Sequence, residues 1–313
     1  MISNLSGPAQ IFLANVDRIQ QNLAEANREV SSGLKIAAPS DDPDAIAPLL
    51  QLRADMARNN QVQANLVLAQ TDATSSDNVL TTAIQLMNQA QTIATQATDV
   101  SLSASDRASL AGQIQSIQQQ MVALSNTQVQ GRYIFSGDGD QTEAYQINNG
   151  PDPLGNGVTQ VSVSPATRQV QDPAGGSFAA SLTAQEIFDV RNPDGSCATN
   201  NVFASLTGLR QAILGATSSD TSGIQSAAAN LQAANAQLNT AQGFYGNVEV
   251  RIQDAQSYAT TQNTQLQAQI GNIQDADVAS AALQLSQDQT QLTAAFQAQA
   301  QMPTKTLFDY VSG

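Results

Sequence analysis

An apolar residue every third or fourth position, kept in phase over long stretches, limits what this chain can fold into. Between Ile11 and Ser32, Phe12, Val16, Ile19, Leu23, Ala26 and Val30 recur at alternating steps of four and three. That spacing lines one stripe of a helix and leaves Gln, Asn, Asp, Arg and Glu on the other faces, as in a coiled-coil seam. Gly33 reads as a stop, and residues 35–40 as a short connection. Asp42 followed by Pro43 reads as the next start, because a carboxylate can accept from the free amides of a first turn and proline suits the first helical position. From there Leu66, Ala69, Ala73, Ser76, Leu80, Ala83, Met87, Ala90, Ala94 and Ala97 stay in phase to about Thr98, with only Pro48 as a breaker. Ser103 with Asp106 three residues on has the form of a capping box. Leu110, Ile114, Ile117, Met121 and Leu124 then carry the stripe to about Val129.

The pattern changes at Gly131. Tyr133, Ile134 and Phe135 form a short β-prone run, and prolines and glycines crowd the chain up to about Asn201. Strand candidates lie at Tyr145–Ile147, Val158–Val163 and Thr167–Val170. Helical spacing returns with Val202, Leu206, Leu209 and Ile213, and breaks over 218–223. It resumes from Ile224 through Leu231, Leu238, Tyr245, Val248 and Ile252 to Leu266. A second break is expected over Gly271–Asp277. A last helix carries Val278, Leu285, Leu292 and Phe296 and ends before Pro303.

The layout predicts a mainly α fold: an elongated antiparallel helical bundle or coiled coil, both termini at one end, with a small β-rich inserted domain. Its expected parts are an N-terminal assembly helix and turn (1–40), the first half of a helical rod (41–130), a β-rich insertion (131–200), the second half of the rod (201–270) and a C-terminal assembly helix (271–313). Much of the apolar fraction is alanine, which favours helix but buries little area, so such helices need partners. The middle stripes can cover one another. The terminal stripes have only each other within the chain, which points to their use between copies.

Charge and chemistry exclude several classes. The formal charge is -14, and Lys35 and Lys305 are the only lysines, so the basic cluster that nucleic acid requires is missing. No apolar run is long enough to span a membrane, so no membrane insertion is expected. Met1–Asp17 lacks the basic and apolar regions of a cleaved signal peptide. There is no histidine, which removes the commonest general base and imidazole metal sites, and Cys197 has no histidine to activate it. Asp41, Asp42 and Asp44 are explained by capping. Asp138, Asp140 and Glu143 lack the spacing of a calcium loop. No catalytic residue, metal or cofactor is expected.

Two separated blocks carry a resemblance. Arg28-Glu29-Val30-Ser31-Ser32-Gly33-Leu34-Lys35-Ile36, followed by Pro39-Ser40-Asp41-Asp42-Pro43, resembles the N-terminal signature of the bacterial flagellin superfamily. Gly271-Asn272-Ile273 through Asp277 and Ala281, with the closing Leu307-Phe308-Asp309-Tyr310, is similar to its C-terminal half. The motif Gly131-Arg132-Tyr133-Ile134-Phe135-Ser136-Gly137 resembles the hook-filament junction branch more than filament flagellin. The resemblance implies a structural subunit of the flagellum, exported through the flagellar type III apparatus without a cleaved signal peptide and held beforehand by an export chaperone. Its implied partners are copies of itself in a ring, the other junction protein and filament flagellin. Phe12, Val16, Ile19, Leu23 and Val30 would pack with Leu285, Leu292, Phe296 and Leu307, while Gly33, Asp42 and Pro43 would build a turn against a neighbour. Filament flagellin, or a helical extracellular adhesion or scaffold module, are the alternative readings.

Overall fold

The computed structural model describes residues 7–162, 167–217 and 220–301. Among them are α1 (Gly7–Ser32), α2 (Pro43–Ala97), α3 (Ala104–Ser125), α4 (Ala184–Ile187), α5 (Val202–Gly215), α6 (Ser222–Gln274) and α7 (Val278–Ala300). Six short strands pair as three antiparallel ladders: β1 (Gln128–Val129) with β2 (Arg132–Tyr133), β3 (Tyr145–Ile147) with β4 (Val158–Gln160), and β5 (Gln169–Gln171) with β6 (Ser177–Ala179). The chain divides into two compact units, residues 59–261 and residues 1–58 with 262–313. The mainly α fold with a small β portion follows the expectation.

In the 59–261 unit, α2 and α6 run antiparallel, and small side chains hold them close. Leu66, Ala73, Leu80, Ala83, Met87 and Ala90 from α2, and Leu231, Ala234, Leu238, Tyr245 and Ile252 from α6, are fully buried. Polar side chains fix the register beside this seam. Gln63 donates to Thr260 at 2.9 Å, Thr74 to Glu249 at 2.8 Å, Gln242 to Thr81 at 3.0 Å and Asn235 to Asn88 at 3.1 Å. Every step forward along α2 is matched by an equal step back along α6. α3 begins at the expected capping box, Ser103 with Asp106, and packs against α5.

The insertion shares its core with these helices. Alanine seams offer little volume, and the aromatic residues supply what they lack. Phe135 lies 5.8 Å from Phe188 and 6.4 Å from Tyr245, while Phe203 lies 5.2 Å from Tyr145 and 5.9 Å from Phe188. Under this cluster the Asp189 carboxylate is completely buried. It accepts from Tyr145 Oη at 3.0 Å, Asn156 Nδ2 at 3.0 Å, Asn201 Nδ2 at 2.8 Å and Arg191 Nε at 2.9 Å. Burial, then the adjacent Asp189 charge, pushes the Tyr145 phenol up, so it stays a proton donor.

Several boundaries differ from the sequence reading. α3 stops at Ser125, short of Val129, because Asn126 turns to serve the insertion: its Oδ1 accepts from the amides of Ala144 (2.9 Å) and Tyr145 (3.2 Å), and its Nδ2 donates to the Tyr145 carbonyl (2.6 Å). Of the β-prone run only Tyr133 enters a strand, beside Arg132, since Ile134 and Phe135 turn into the core. The β1–β2 turn has Gln130 and Gly131 at φ 53° and 76°, the positive values of a tight hairpin. The Val158–Val163 candidate is a strand only to Gln160, and Val163 lies outside the described residues. The Thr167–Val170 candidate shifts to Gln169–Gln171, paired with a strand at Ser177–Ala179 that no alternation announced. α6 runs through Gly271 to Gln274, since one helical glycine costs only about 1 kcal/mol.

Replacing Asp189 by Ala removes the acceptor shared by the buried Tyr145, Asn156 and Asn201 and the part-buried Arg191. We expect a loss of about 3–5 kcal/mol, read as a lower midpoint in denaturant unfolding.

Candidate assembly surface

The unit formed by residues 1–58 and 262–313 has a thinner interior. α1 and α7 pack antiparallel: Phe12 near the start of α1 meets Phe296 near the end of α7, with ring centroids 6.3 Å apart and edges to faces. At the opposite end Ala276 N donates to Gly33 O at 3.0 Å. Between these points α1 buries Val16, Ile19 and Ala26, and α7 buries Ala281 and Asp288. Phe12, Leu23, Val30, Leu285 and Leu292 are half-buried on the same stripe. Leu307 lies outside the described residues.

The stripe on α7 runs Ala281, Leu285, Asp288, Leu292, Ala295, in the three-four rhythm, so an acid occupies a seam position. The spacing of Leu285, Leu292 and Phe296 does not mark Asp288, because an aspartate interrupting an apolar series looks like the polar face. Ile11, Leu13, Leu50, Val278, Leu283 and Phe296 remain exposed, by 44% to 65%. A pair of helices has only one mutual contact line, so apolar residues flanking that line stay in water.

The turn between α1 and α2 is tightly organised. Gly33 takes φ 70° with its amide donating to Glu29 O at 2.8 Å, the left-handed stop of a helix C-terminus. A Cβ there would meet no atom within 4 Å, so conformation, not space, requires glycine. Lys35 N and Ile36 N both donate to Gln274 O, at 2.7 and 3.2 Å, and Arg53 donates to Gln274 Oε1 at 2.9 Å. The turn expected to meet a neighbour therefore also has a partner in its own chain, the α6–α7 junction. Asp41 Oδ2 accepts from the amides of Ala37 (3.0 Å) and Ala38 (2.7 Å), and Arg28 lies 3.6 Å from its other oxygen. The Ala38 amide holds the Asp41 carboxyl below the usual carboxylate range; desolvation opposes it, and the Ala37 amide and the Arg28 charge add to the lowering. Asp42 accepts from Ala45 N at 3.2 Å and Pro43 opens α2, as expected of a cap. Asp277 caps α7 by accepting from Ala279 and Ser280. Ile36, Pro39, Ile46, Leu49 and Leu50 line an apolar pocket of about 150 Å³ beneath the turn.

The motif residues Gly131, Arg132, Tyr133, Phe135 and Gly137 belong to the other unit. Gly131 and Gly137 take positive φ, Phe135 is core, and Tyr133 N donates to Asp140 O at 2.8 Å. Arg132 and Arg168 converge on the carboxylates of Asp72 and Asp140, with N–O distances from 2.8 to 3.7 Å. The motif thus locks the start of the insertion. No group of histidine, cysteine and acidic residues able to hold a metal ion occurs among the described residues.

The bacterial flagellin N-terminal helical region matches residues 3–140, and the bacterial flagellin C-terminal helical region matches residues 228–311. Flagellar hook-associated protein 3 of Escherichia coli is 29% identical over 201 residues, covering 62% of this chain and 61% of the relative. The Salmonella typhimurium protein of the same name is 29% identical over 197 residues, with the same coverage. The matched stretch is thus less than two thirds of either relative's length. Among solved structures, flagellar hook associated protein-3 from Legionella pneumophila shares the fold at TM-score 0.61 and 13% identity, over 72% of this chain and 98% of that one. FlgL from Bacillus cereus does so at TM-score 0.54 and 17% identity, over 71% and 99%.

Two outcomes follow from the turn. Asp42→Ala should cost about 1 kcal/mol of helix capping, read as a lower denaturation midpoint. A carboxyl with a lowered folded pKa stabilises fully above its ordinary value of 3.8 and loses that contribution as pH falls through the folded value. The amide resonances of Ala37 and Ala38 should therefore titrate with a midpoint below 3.8, and the Asp41→Asn variant should show no such transition.

Proposed function

This chain belongs to the bacterial flagellin family, and from that premise we propose that it is a structural subunit of the bacterial flagellum, the one that joins hook to filament. The observation carrying this reading is the match to two hook-associated protein 3 relatives, beside the match of both flagellin helical regions. Residues 1–40 and 271–313 serve as the assembly segments. Phe12, Val16, Ile19, Leu23 and Val30 on α1, with Leu285, Leu292 and Phe296 on α7, provide the stripe along which copies pack. The exposed apolar residues flanking that stripe support the reading, because neighbours would remove them from water.

The partners in this proposal are copies of the same chain in a ring, the other junction protein on one side and filament flagellin on the other. The chain acts outside the cell, after transport by the flagellar type III export apparatus and release from a cytoplasmic chaperone. Its work is mechanical and non-enzymatic. A segment completed only on assembly orders at that moment, which suppresses premature polymerisation. Filament flagellin is the second reading, favoured by the family regions themselves, which are described for flagellin at large.

Immuno-gold labelling of shed flagella decides between them. A thin band at the hook-filament boundary is expected, whereas label along the whole filament overturns the junction reading. Leu23→Asp places a charge on the half-buried seam. It should leave the aromatic core of the 59–261 unit intact by near-ultraviolet circular dichroism while abolishing incorporation. Normal incorporation of this variant would sink the role given to the seam.

A further inference from the structure

In the motif Gly131–Gly137, the Ser136 side chain joins neither the aromatic core nor the charge cluster. Ser136 is 4% exposed, and its buried Oγ has no hydrogen-bond partner among the described residues. A buried hydroxyl without a partner is costly, and an alanine would fill the same place without that cost.

The hydroxyl borders a cavity of about 10 Å³, lined by Phe135, Ser136, Gln160, Ser162, Thr183 and Gln185 among others. Main-chain bonds tie this lining together: Ala184 N donates to Phe135 O at 2.7 Å, and Val161 N to Ala144 O at 2.9 Å. The Thr183 hydroxyl is taken, since it donates to Glu186 Oε2 at 2.9 Å and accepts from Glu186 N at 3.3 Å. The other polar groups keep capacity. Gln160 Nε2 donates to Gln185 Oε1 at 3.2 Å, which leaves Gln160 Oε1 as an acceptor and Gln185 Nε2 as a donor. Ser162 Oγ makes no hydrogen bond among the described residues. It lies 2.6 Å from where a Cβ on residue 139 would stand, so Gly139 lets the turn after the motif approach this hydroxyl.

A single water needs a cavity of about 10–15 Å³ and two to four polar partners. This one is at the lower limit of size and offers partners in that number. We propose that the cavity is a binding site for one ordered water molecule, held by the hydroxyls of Ser136 and Ser162 and by the Gln160–Gln185 pair. The water joins three segments distant in sequence: the turn that follows β2, the end of β4 and the short helix α4. It completes the one motif side chain that no protein group reaches, and it does so within the 59–261 unit, independently of any assembly contact.

The test starts with a crystal structure of the full-length chain at a resolution that shows ordered water. One peak is expected about 2.5–3.0 Å from both Ser136 Oγ and Ser162 Oγ. An empty cavity, or a direct bond between the two hydroxyls, overturns the proposal. Thermal unfolding supplies a second readout in which the sign decides. Ser136→Ala and Ser162→Ala should each lower the midpoint by about 2–4 °C. A rise on Ser136→Ala would mean that the hydroxyl was dry, and the site would fall with it. Both serines act through one molecule, so the double variant should lose clearly less than the two single losses added together. Fully additive losses would make the serines independent and overturn the shared water.

Discussion

The antiparallel contact between α2 and α6 rests on side chains too small to hold two helices together by themselves. Ala73, Ala83 and Ala90 meet a facing seam that also alternates alanine with leucine. Each contributes little buried area, so stability comes from repetition and from a register that cannot slip. The polar pairs from Gln63–Thr260 to Asn235–Asn88 hold that register at the margins of the seam. A slip of one residue would break every pair and misalign every alanine, which makes the long contact cooperative.

The 59–261 unit supplements this seam with volume of another kind. Phe135, Tyr145, Phe188, Phe203 and Tyr245 gather at the insertion, where the chain leaves helical spacing. Their polar support is a single buried carboxylate, Asp189, whose acceptor positions are filled by four donors. The Tyr245 phenol, pushed up to about 12 mainly by burial, accepts from the Leu182 amide and ties the insertion to α6. Among its described residues the terminal unit has a single aromatic pair, Phe12 with Phe296. Its seam combines half-buried leucines with an acid, Asp288, whose Oδ2 has no hydrogen-bond partner among the described residues. Both units hold buried polar atoms without a hydrogen-bond partner among the described residues, such as Arg107 Nε, Ser136 Oγ and Asn235 Oδ1 in the one and Asp288 Oδ2 in the other.

The helices were legible because their signal is periodic and local. The stop at Gly33, the start at Asp42–Pro43 and the capping box at Ser103 are each made by residues within four positions of one another. The strands were far less legible. Segments of two or three residues carry no measurable alternation, and β6 exists because β5 lies beside it. α3 ended early for a tertiary reason, since Asn126 is claimed by a segment almost twenty residues further on. At the candidate surface the leucines and valines announced themselves, and Asp288 did not.

By itself the sequence determined that this chain is helical, that its long middle helices return on one another, and that it carries no histidine, one cysteine and no basic cluster. These properties follow from spacing, propensity and composition, which are present before folding. The tertiary structure decided which acid would be satisfied and which would not. Asp189 lies among four donors drawn from the insertion and the start of α5, and Asp288 among leucines from its own helix and apolar residues of α1. Both are aspartates in the sequence, and only the surroundings assembled by folding make one a structural centre and leave Oδ2 of the other without a partner among the described residues.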